Sequence, residues 1–200
     1  MALLTAAQAR ALYLPSLTSS SDTDIDTAIA RAEVVLATWL RWPAPTDGGV
    51  ASLAAATHTF YIDGPDYSEV RRLSLPIFPI ASVTSVHDDV LWSWGSSTEV
   101  ASSQWTLDKS RGSIMLNPLA THAWSGAPRA IRVICSAGFA TTHLDVLEAI
   151  GRQVAHSWRL RDTQDQTSHS AANSSTSWRD DGTVCREARA ILNRYQTLGM

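Results

Sequence analysis

The chain has 200 residues, a net charge of −3, 44% hydrophobic residues and a mean hydropathy of −0.07, which suits one globular domain or one domain with an insertion. A dedicated nucleic-acid-binding protein usually carries a basic face, so the acidic balance argues against that class. No apolar run approaches the roughly 18 residues of a membrane helix, and we expect no membrane association. Cys135 and Cys185 have no metal-ligand spacing. We therefore expect reduced thiols rather than a disulfide, in a cytosolic protein.

Residues 1–50 begin with a helical pattern. Thr5 and Gln8 have the spacing of a capping box, which predicts a short helix to about Tyr13. A second helix is predicted from an N-cap near Ser21 or Asp22 to about Arg41. The apolar residues that share one face of this helix are Ile25, Ile29, Leu36 and Leu40, widened by Ala28, Ala32 and Val35.

Residues 51–140 change to strand-like alternation with frequent turns, which predicts a β-rich insertion of five or six short strands in a small antiparallel or mixed sheet. The predicted strands cover residues 57–63, 69–75, 80–87, 104–108, 112–118 and 129–135. Pro76 and Pro79 interrupt the most apolar stretch, and proline is confined to strand edges, starts and bulges. We therefore predict an extended crossing at residues 76–79, where a strand leaves one sheet edge and re-enters.

The helical pattern returns near residue 141. A helix capped by Thr141 or Thr142 is predicted to about Leu160, and residues 162–177 are polar enough to predict a mobile loop. A last helix is predicted from about Thr183, ending by Gly199. The apolar stripes of these two helices are Leu147, Ile150, Val154 and Trp158 in the first, and Val184, Ala188, Ile191 and Tyr195 in the second.

The predicted fold class is α+β. Residues 1–50 and 141–200 are predicted to form a small helical bundle that serves in oligomerisation and carries a C-terminal tail. Residues 51–140 are predicted to form a β-rich insertion.

No P-loop, nucleophile elbow, dinucleotide fingerprint or metal-ligand spacing occurs. We therefore predict no catalytic residue, no metal and no cofactor. His143 or His156 would serve a small hydrolase, which is an alternative hypothesis. The run His87, Asp88 and Asp89 is predicted to be a solvated turn after a strand.

The C-terminal segment contains the candidate partner-binding residues. An amphipathic helix after a long loop is a common way to reach a partner, and aromatic and arginine side chains dominate such contacts. The residues chosen on this basis are Trp178, Arg186, Arg189, Arg194 and Tyr195. A fourth bundle helix that folds back on its own chain is the alternative.

Several segments together resemble the head–tail connector proteins, also called adaptor or head-completion proteins, of long-tailed bacteriophages. The similar segments are LLTAAQARALYL, DTDIDTAIARAEVVLATWLRW, TFYIDGP, RLSLPIFPIASVTSV, GSIMLNP, RAIRVICSAGF and HLDVLEAIGRQVAHSWRLRD, which span about residues 2–162. Gene transfer agents, which are phage-derived particles, use similar adaptors.

The resemblance implies a non-enzymatic virion protein in the neck, assembled in the host cytoplasm. It implies a homo-oligomeric ring of twelve copies under the portal protein, a stopper or tail-completion protein as the next neighbour, and DNA passing through the channel without sequence-specific binding. A stopper or tail-completion protein and a DNA-packaging subunit are alternative hypotheses.

The loop at 162–177 has sixteen residues, which is long for a connection between bundle helices. We therefore predict that the last helix docks on the portal or an adjacent subunit rather than completing its own bundle. We also predict that a chain truncated after Arg161 still folds.

Overall fold

The computed structural model describes residues 3–66, 70–139, 143–162, 168–171, 174–177 and 184–196. The α+β prediction is confirmed: these residues contain four α-helices, two three-stranded sheets and one two-stranded hairpin. Two compact units are present. Residues 1–40 and 141–194 form the helical unit, and residues 41–140 with 195–200 form the β unit. No helix among the described residues is long and apolar enough to cross a membrane.

The first two helices follow the sequence prediction closely. Helix α1 (Ala6–Tyr13) begins with the predicted capping box, because Thr5 and Gln8 satisfy each other's backbone N–H groups. Helix α2 (Asp22–Trp39) has Ser21 as its N-cap, although the serine side chain makes no capping hydrogen bond. The helix ends two residues before the predicted Arg41, which adopts a left-handed φ of 60°. The predicted α2 face is buried at Ile25, Ile29, Ala32, Leu36 and Leu40.

Helix α3 (Leu144–Asp162) packs against α1, α2 and the fourth helix, so it is the central helix of its unit. Its predicted apolar stripe is shifted, because Leu147 and Trp158 are only half-buried. The side chains that it buries are Val146, Ala149, Ile150, Gln153, Val154 and Ala155. Gly151 permits close packing here: a Cβ at this position would overlap the Tyr13 ring.

Helix α4 (Arg186–Leu192) completes the helical unit, and the prediction that this segment would not join its own bundle is therefore wrong. Its buried residues are Ala188 and Leu192, and Val184 just before the helix is also buried. The predicted stripe is therefore buried at Val184 and Ala188, but Ile191 and Tyr195 are only half-buried and Leu192 is buried instead. The buried amide of Gln153 on α3 accepts a 2.9 Å hydrogen bond from the Cys185 backbone N–H. This contact and the apolar face fix α4 on α3.

The β unit contains two antiparallel sheets, where the sequence predicted one. The first has the order β1-β6-β3 and the second β2-β5-β4. The strands are β1 (Ala56–Ile62), β2 (Arg72–Ser74), β3 (Ile80–Asp88), β4 (Trp105–Asp108), β5 (Ser113–Leu116) and β6 (Ile131–Ala137). The central strand β6 alternates as predicted, with Ile131, Val133 and Cys135 fully buried. Burial raises the pKa of the Cys135 thiol to about 11, as expected for an unreactive core residue.

The proline crossing at residues 76–79 joins the two sheets. Strand β2 lies at an edge of one sheet and β3 at an edge of the other, so the chain does not re-enter the sheet that it leaves. Edge strands tolerate proline because no neighbouring strand needs its missing N–H group. Between the prolines, Ile77 is fully buried. The sequence correctly excluded a central strand, but it also predicted that β2 would begin at residue 69, whereas β2 begins at Arg72.

The segment predicted as a mobile loop contains a hairpin. Strands β7 (Ser168–Ala171) and β8 (Ser174–Ser177) pair in antiparallel register, from Ser168 opposite Ser177 to Ala171 opposite Ser174. Their polar composition gave no alternating apolar pattern, which is why the sequence did not predict strands.

Candidate partner-binding site

The predicted partner-binding residues separate into three environments. Arg186 is exposed and Arg189 is half-buried on α4, while Arg194 forms an ion pair with Asp145 of α3. Tyr195 belongs to the β unit, where its ring centroid lies 5.0 Å from that of Phe139. Trp178 lies outside the described residues. Their role in partner binding remains a prediction.

A second cluster, which the sequence did not predict, lies at the end of β3. The run His87, Asp88 and Asp89 is buried rather than solvated. Asp88 accepts hydrogen bonds from the hydroxyl and the N–H of Ser125, and one oxygen lies 3.0 Å from Nε2 of His122. A catalytic triad needs the serine hydroxyl on the histidine. Here serine and histidine both contact the carboxylate, so Asp88 anchors the 122–125 segment.

Asp89 organises the loop that follows β3. Its carboxylate accepts hydrogen bonds from the N–H groups of Leu91, Ser93 and Trp94 at 2.8–2.9 Å, and from the Ser93 hydroxyl at 2.6 Å. These bonds, led by the Ser93 hydroxyl, lower the pKa of Asp89 to about 2, because each stabilises the ionised form. One buried side chain therefore fixes the backbone of the whole loop.

This loop presents three consecutive apolar side chains to solvent. The exposed fractions are 54% for Val90, 83% for Leu91 and 57% for Trp92. We call these three residues the apolar tip. Trp92 and Trp94 have φ values of 57° and 53°, in the left-handed region that side chains of this size rarely adopt. Such conformations cost about 1–3 kcal/mol each and persist where the surroundings impose them.

Arginine and aromatic side chains pack around Trp94, two residues after the apolar tip. The Tyr61 and Trp94 ring centroids lie 5.5 Å apart, and the guanidinium groups of Arg129 and Arg132 lie 5.2 and 5.3 Å from Tyr61 and Trp94 respectively. Trp92 is held at its Nε1, which donates to the Pro128 carbonyl. Arg129 is exposed, so the apolar tip has a positive charge beside it. The sequence signal for this surface was VLWSW, an apolar run placed between two predicted elements.

We expect acid to destabilise the β unit through Asp89. The pKa of Asp89 is lower in the folded chain, so the unfolded chain binds this proton more readily. The ionised Asp89 carboxylate therefore stabilises the fold above its unfolded pKa of about 3.9, and this stabilisation is lost as the pH falls towards 2. Asp89→Asn should lower the melting temperature at neutral pH and flatten its decline between about pH 5 and pH 2. Melting curves at several pH values measure this. The exposed Asp26→Asn control should keep the wild-type pH profile, and an Asp89→Asn profile that also matched wild type would contradict the assignment.

The helical unit has a surface cavity of about 500 Å³. At its edge, Glu148 on α3 accepts a 2.6 Å hydrogen bond from the Tyr13 hydroxyl and another from Nε of Arg152. Burial and this bond to Glu148 raise the pKa of Tyr13 to about 12. The remaining lining residues are Leu12, Ala155, His156, Arg159 and Glu187. His156 therefore lies at a cavity, while His143 is an exposed residue just before α3.

Among the described residues, no three or more His, Cys, Asp or Glu side chains lie close enough to hold a metal ion. No family model matches the sequence, and no curated protein matches it.

Solved structures do match the fold. A chain from the neck of an empty gene transfer agent (GTA) particle, computed with C6 symmetry, has a TM-score of 0.59 and 18% identity, and the match covers 99% of this chain and 91% of that chain. A chain from the virion of a native GTA particle has a TM-score of 0.59, 17% identity and the same coverage. A chain from the neck of a native GTA particle computed with C12 symmetry has a TM-score of 0.49 at 19% identity, covering 96% of this chain and 89% of that one. The first two matches show that this chain has the fold of GTA particle proteins over nearly its whole length.

Proposed function

We propose that the chain is a structural, non-enzymatic protein of the neck of a phage-like particle, where it forms an adaptor ring between the portal vertex and the tail. The observation that carries this proposal is the fold, which matches a GTA neck chain over 99% of the present chain. The match includes both the helical unit and the β unit. It therefore supports a relationship to the whole neck chain rather than to one common supersecondary motif.

The proposed assembly is a closed ring of identical subunits, with twelve copies in the particle. The neck structure computed with C6 symmetry supports a cyclic arrangement. A cyclic ring requires a head-to-tail interface in which two different surfaces of the same chain meet. The helical unit and the β unit provide such different surfaces, one carrying the cavity and the other the apolar tip.

The proposed partners are the portal protein on one side and a stopper or tail-completion protein on the other. DNA would pass through the ring without sequence-specific binding, which suits a chain with a net charge of −3, because a basic lining would retain phosphates. Arg186 on the exposed side of α4 is the predicted residue best placed for an acidic partner group. The location is the virion neck, after assembly in the host cytoplasm.

A non-enzymatic role agrees with the geometry of the polar clusters. Asp88 binds His122 and Ser125 separately, so neither side chain activates the other. Asp88, Ser125 and His122 instead connect distant parts of the β unit.

Native mass spectrometry and electron microscopy of the purified full-length protein, with and without portal protein, test this proposal. We expect a ring, with twelve copies on the portal. A chain that stays monomeric and never joins the portal would contradict the adaptor function. Binding to the tail-side protein alone would instead support the stopper alternative.

A further inference from the structure

Strand β1 has an open edge in the β unit. It lies at one side of the sheet β1-β6-β3, and among the described residues no strand pairs with its outer side. The carbonyl of Thr57 points to that side, because it accepts a 3.0 Å hydrogen bond from the N–H of Thr46. Backbone direction alternates along an antiparallel strand, so Thr59 and Tyr61 also direct their N–H and C=O groups outwards. Within the described part of the chain, these four groups have no hydrogen-bond partner.

The three other edges of the two sheets are protected against strand pairing. Strand β3 follows Pro79 and has two register shifts, and its Val86 carbonyl accepts the N–H of Val100. Strands β2 and β4 have only three and four residues, and they carry Arg72 and Asp108. By contrast, β1 has seven residues with no proline, glycine, Lys, Arg, Asp or Glu, and its register has no shift. An unprotected edge of this kind is a template for another strand.

The side chains beside this edge are aromatic and carry one positive charge. The Arg129 guanidinium lies 5.2 Å from the Tyr61 ring centroid and is exposed. In the described ranges it has no carboxylate partner, since Asp63 accepts the backbone N–H of Arg129 instead. Trp94 lies 5.5 Å from Tyr61 on the same surface. The free edge therefore ends next to an aromatic pair and an arginine available for an anion.

We propose that β1 accepts an extended segment of another protein as an added strand, and that this segment alternates apolar with acidic side chains. Its backbone bonds to Thr59 and Tyr61 provide affinity, and its side chains provide specificity. On one face, apolar side chains continue the buried face that contains Phe60. On the other face, a side chain opposite Tyr61 has its Cβ about 4.5–5.5 Å away, so an acidic group there reaches Arg129.

A second copy of β1 fits this edge less well than such a segment. Two-fold pairing of β1 strands near Tyr61 brings two Arg129 side chains towards each other, and like charges at a contact are unfavourable. Strand β1 also has no acidic residue to offer. Charge complementarity thus selects an acidic strand from a different chain. The inference concerns one edge of the β unit and does not depend on the adaptor ring.

Residue-resolved hydrogen exchange of the full-length chain tests whether the edge is open. Phe60 and Ile62 face β6 with their N–H groups, while the N–H of Tyr61 faces outwards. We expect the Tyr61 amide to exchange at least about a hundredfold faster than those of Phe60 and Ile62. Slow exchange of Tyr61 at all protein concentrations would overturn the open edge. Slow exchange that appears only at high protein concentration would overturn the choice of occupant, because it indicates pairing between copies.

Peptide binding tests the chemistry of the occupant. The probe is a fluorescein-labelled peptide of sequence TVEVTVEVT, and the matched control is TVKVTVKVT. We expect saturable binding of the first, with half-saturation below about 1 mM, and at least about tenfold weaker binding of the second. At saturation the Tyr61 amide should exchange at least about tenfold more slowly than in the free chain. Absence of saturable binding, equal binding of both peptides or an unprotected Tyr61 amide would each overturn the proposal.

Charge reversal tests the role of Arg129. We expect Arg129→Glu to bind TVKVTVKVT more tightly than TVEVTVEVT. The control Arg111→Glu changes an exposed arginine between β4 and β5 and should keep the wild-type preference. The same preference in both variants would contradict the assignment of Arg129. These measurements use the isolated chain, so a failure to find rings by native mass spectrometry would contradict the adaptor function and leave the added-strand site standing.

Discussion

Gly64→Ala is expected to destabilise the β unit severely. A Cβ at Gly64 would overlap the backbone carbonyl oxygen of Ser125, which cannot move as a flexible side chain could. Gly64 also donates its N–H to the Ala127 carbonyl at 3.0 Å, so displacing the backbone breaks a hydrogen bond. The Ser125 segment is itself fixed by Asp88. Because overpacking of well-packed sites costs about 1–3 kcal/mol and rigid backbone gives no relief, we expect at least about 3 kcal/mol.

The measurement is denaturant unfolding of the full-length chain, with Gly95→Ala as the matched control. A Cβ at Gly95 would meet only the Ser97 hydroxyl, at an ordinary 3.8 Å, and its φ of −73° suits alanine. Gly95→Ala should therefore change the free energy of unfolding by no more than about 0.5 kcal/mol. If Gly64→Ala were as stable as this control, the close approach of residues 64 and 125 would be wrong.

Leu192→Ala is expected to cost about 2–5 kcal/mol, the range for a leucine truncated in a packed core. Leu192 is fully buried, and it is the last residue of the short helix α4. A helix of seven residues has little stability of its own, so its order depends on the face that Val184, Ala188 and Leu192 bury. Removing this one side chain should therefore loosen all of α4, including the Cys185–Gln153 hydrogen bond.

Leu144→Ala is the control, because this leucine lies on α3 in the same unit and is 83% exposed. It should leave the free energy of unfolding within about 0.5 kcal/mol of wild type. Hydrogen exchange of the α4 amides provides a second measurement, with faster exchange expected only in Leu192→Ala. Equal stability of the two variants would restore the hypothesis of an α4 that docks away from its own bundle.

Elements encoded by neighbouring residues were predicted well from sequence. The capping box at Thr5 and Gln8 and the alternation of Ile131, Val133 and Cys135 are local patterns, and the structure contains both. The two-sheet arrangement was missed because it depends on pairing between distant segments: Arg72 lies opposite Met115 in one sheet, and Val86 lies opposite Val133 in the other.

The candidate site was harder to predict for the same reason. Asp88 and Asp89 are consecutive acidic residues after a strand, which usually face water. Asp88 is buried because Ser125, 37 residues away, supplies donors, and no spacing rule contains that information. The sequence contains the apolar run of the tip, but it does not predict the conformation of the loop. That conformation, with left-handed φ values at Trp92 and Trp94, is seen only in the structure.

The division of the chain also determines what can fold during synthesis. Helices α1 and α2 belong to the same unit as α3 and α4, but the entire β unit lies between them in sequence. A ribosome adding about 5–20 residues per second needs on the order of 5–20 s to pass from the end of α2 to α3. Throughout that interval Ile25, Ile29 and Leu36 of α2 lack helix α3, which packs on α2 in the folded chain, while the strands of the β unit are synthesised one after another. The nascent chain thus carries the uncovered apolar face of α2 until α3 has been synthesised.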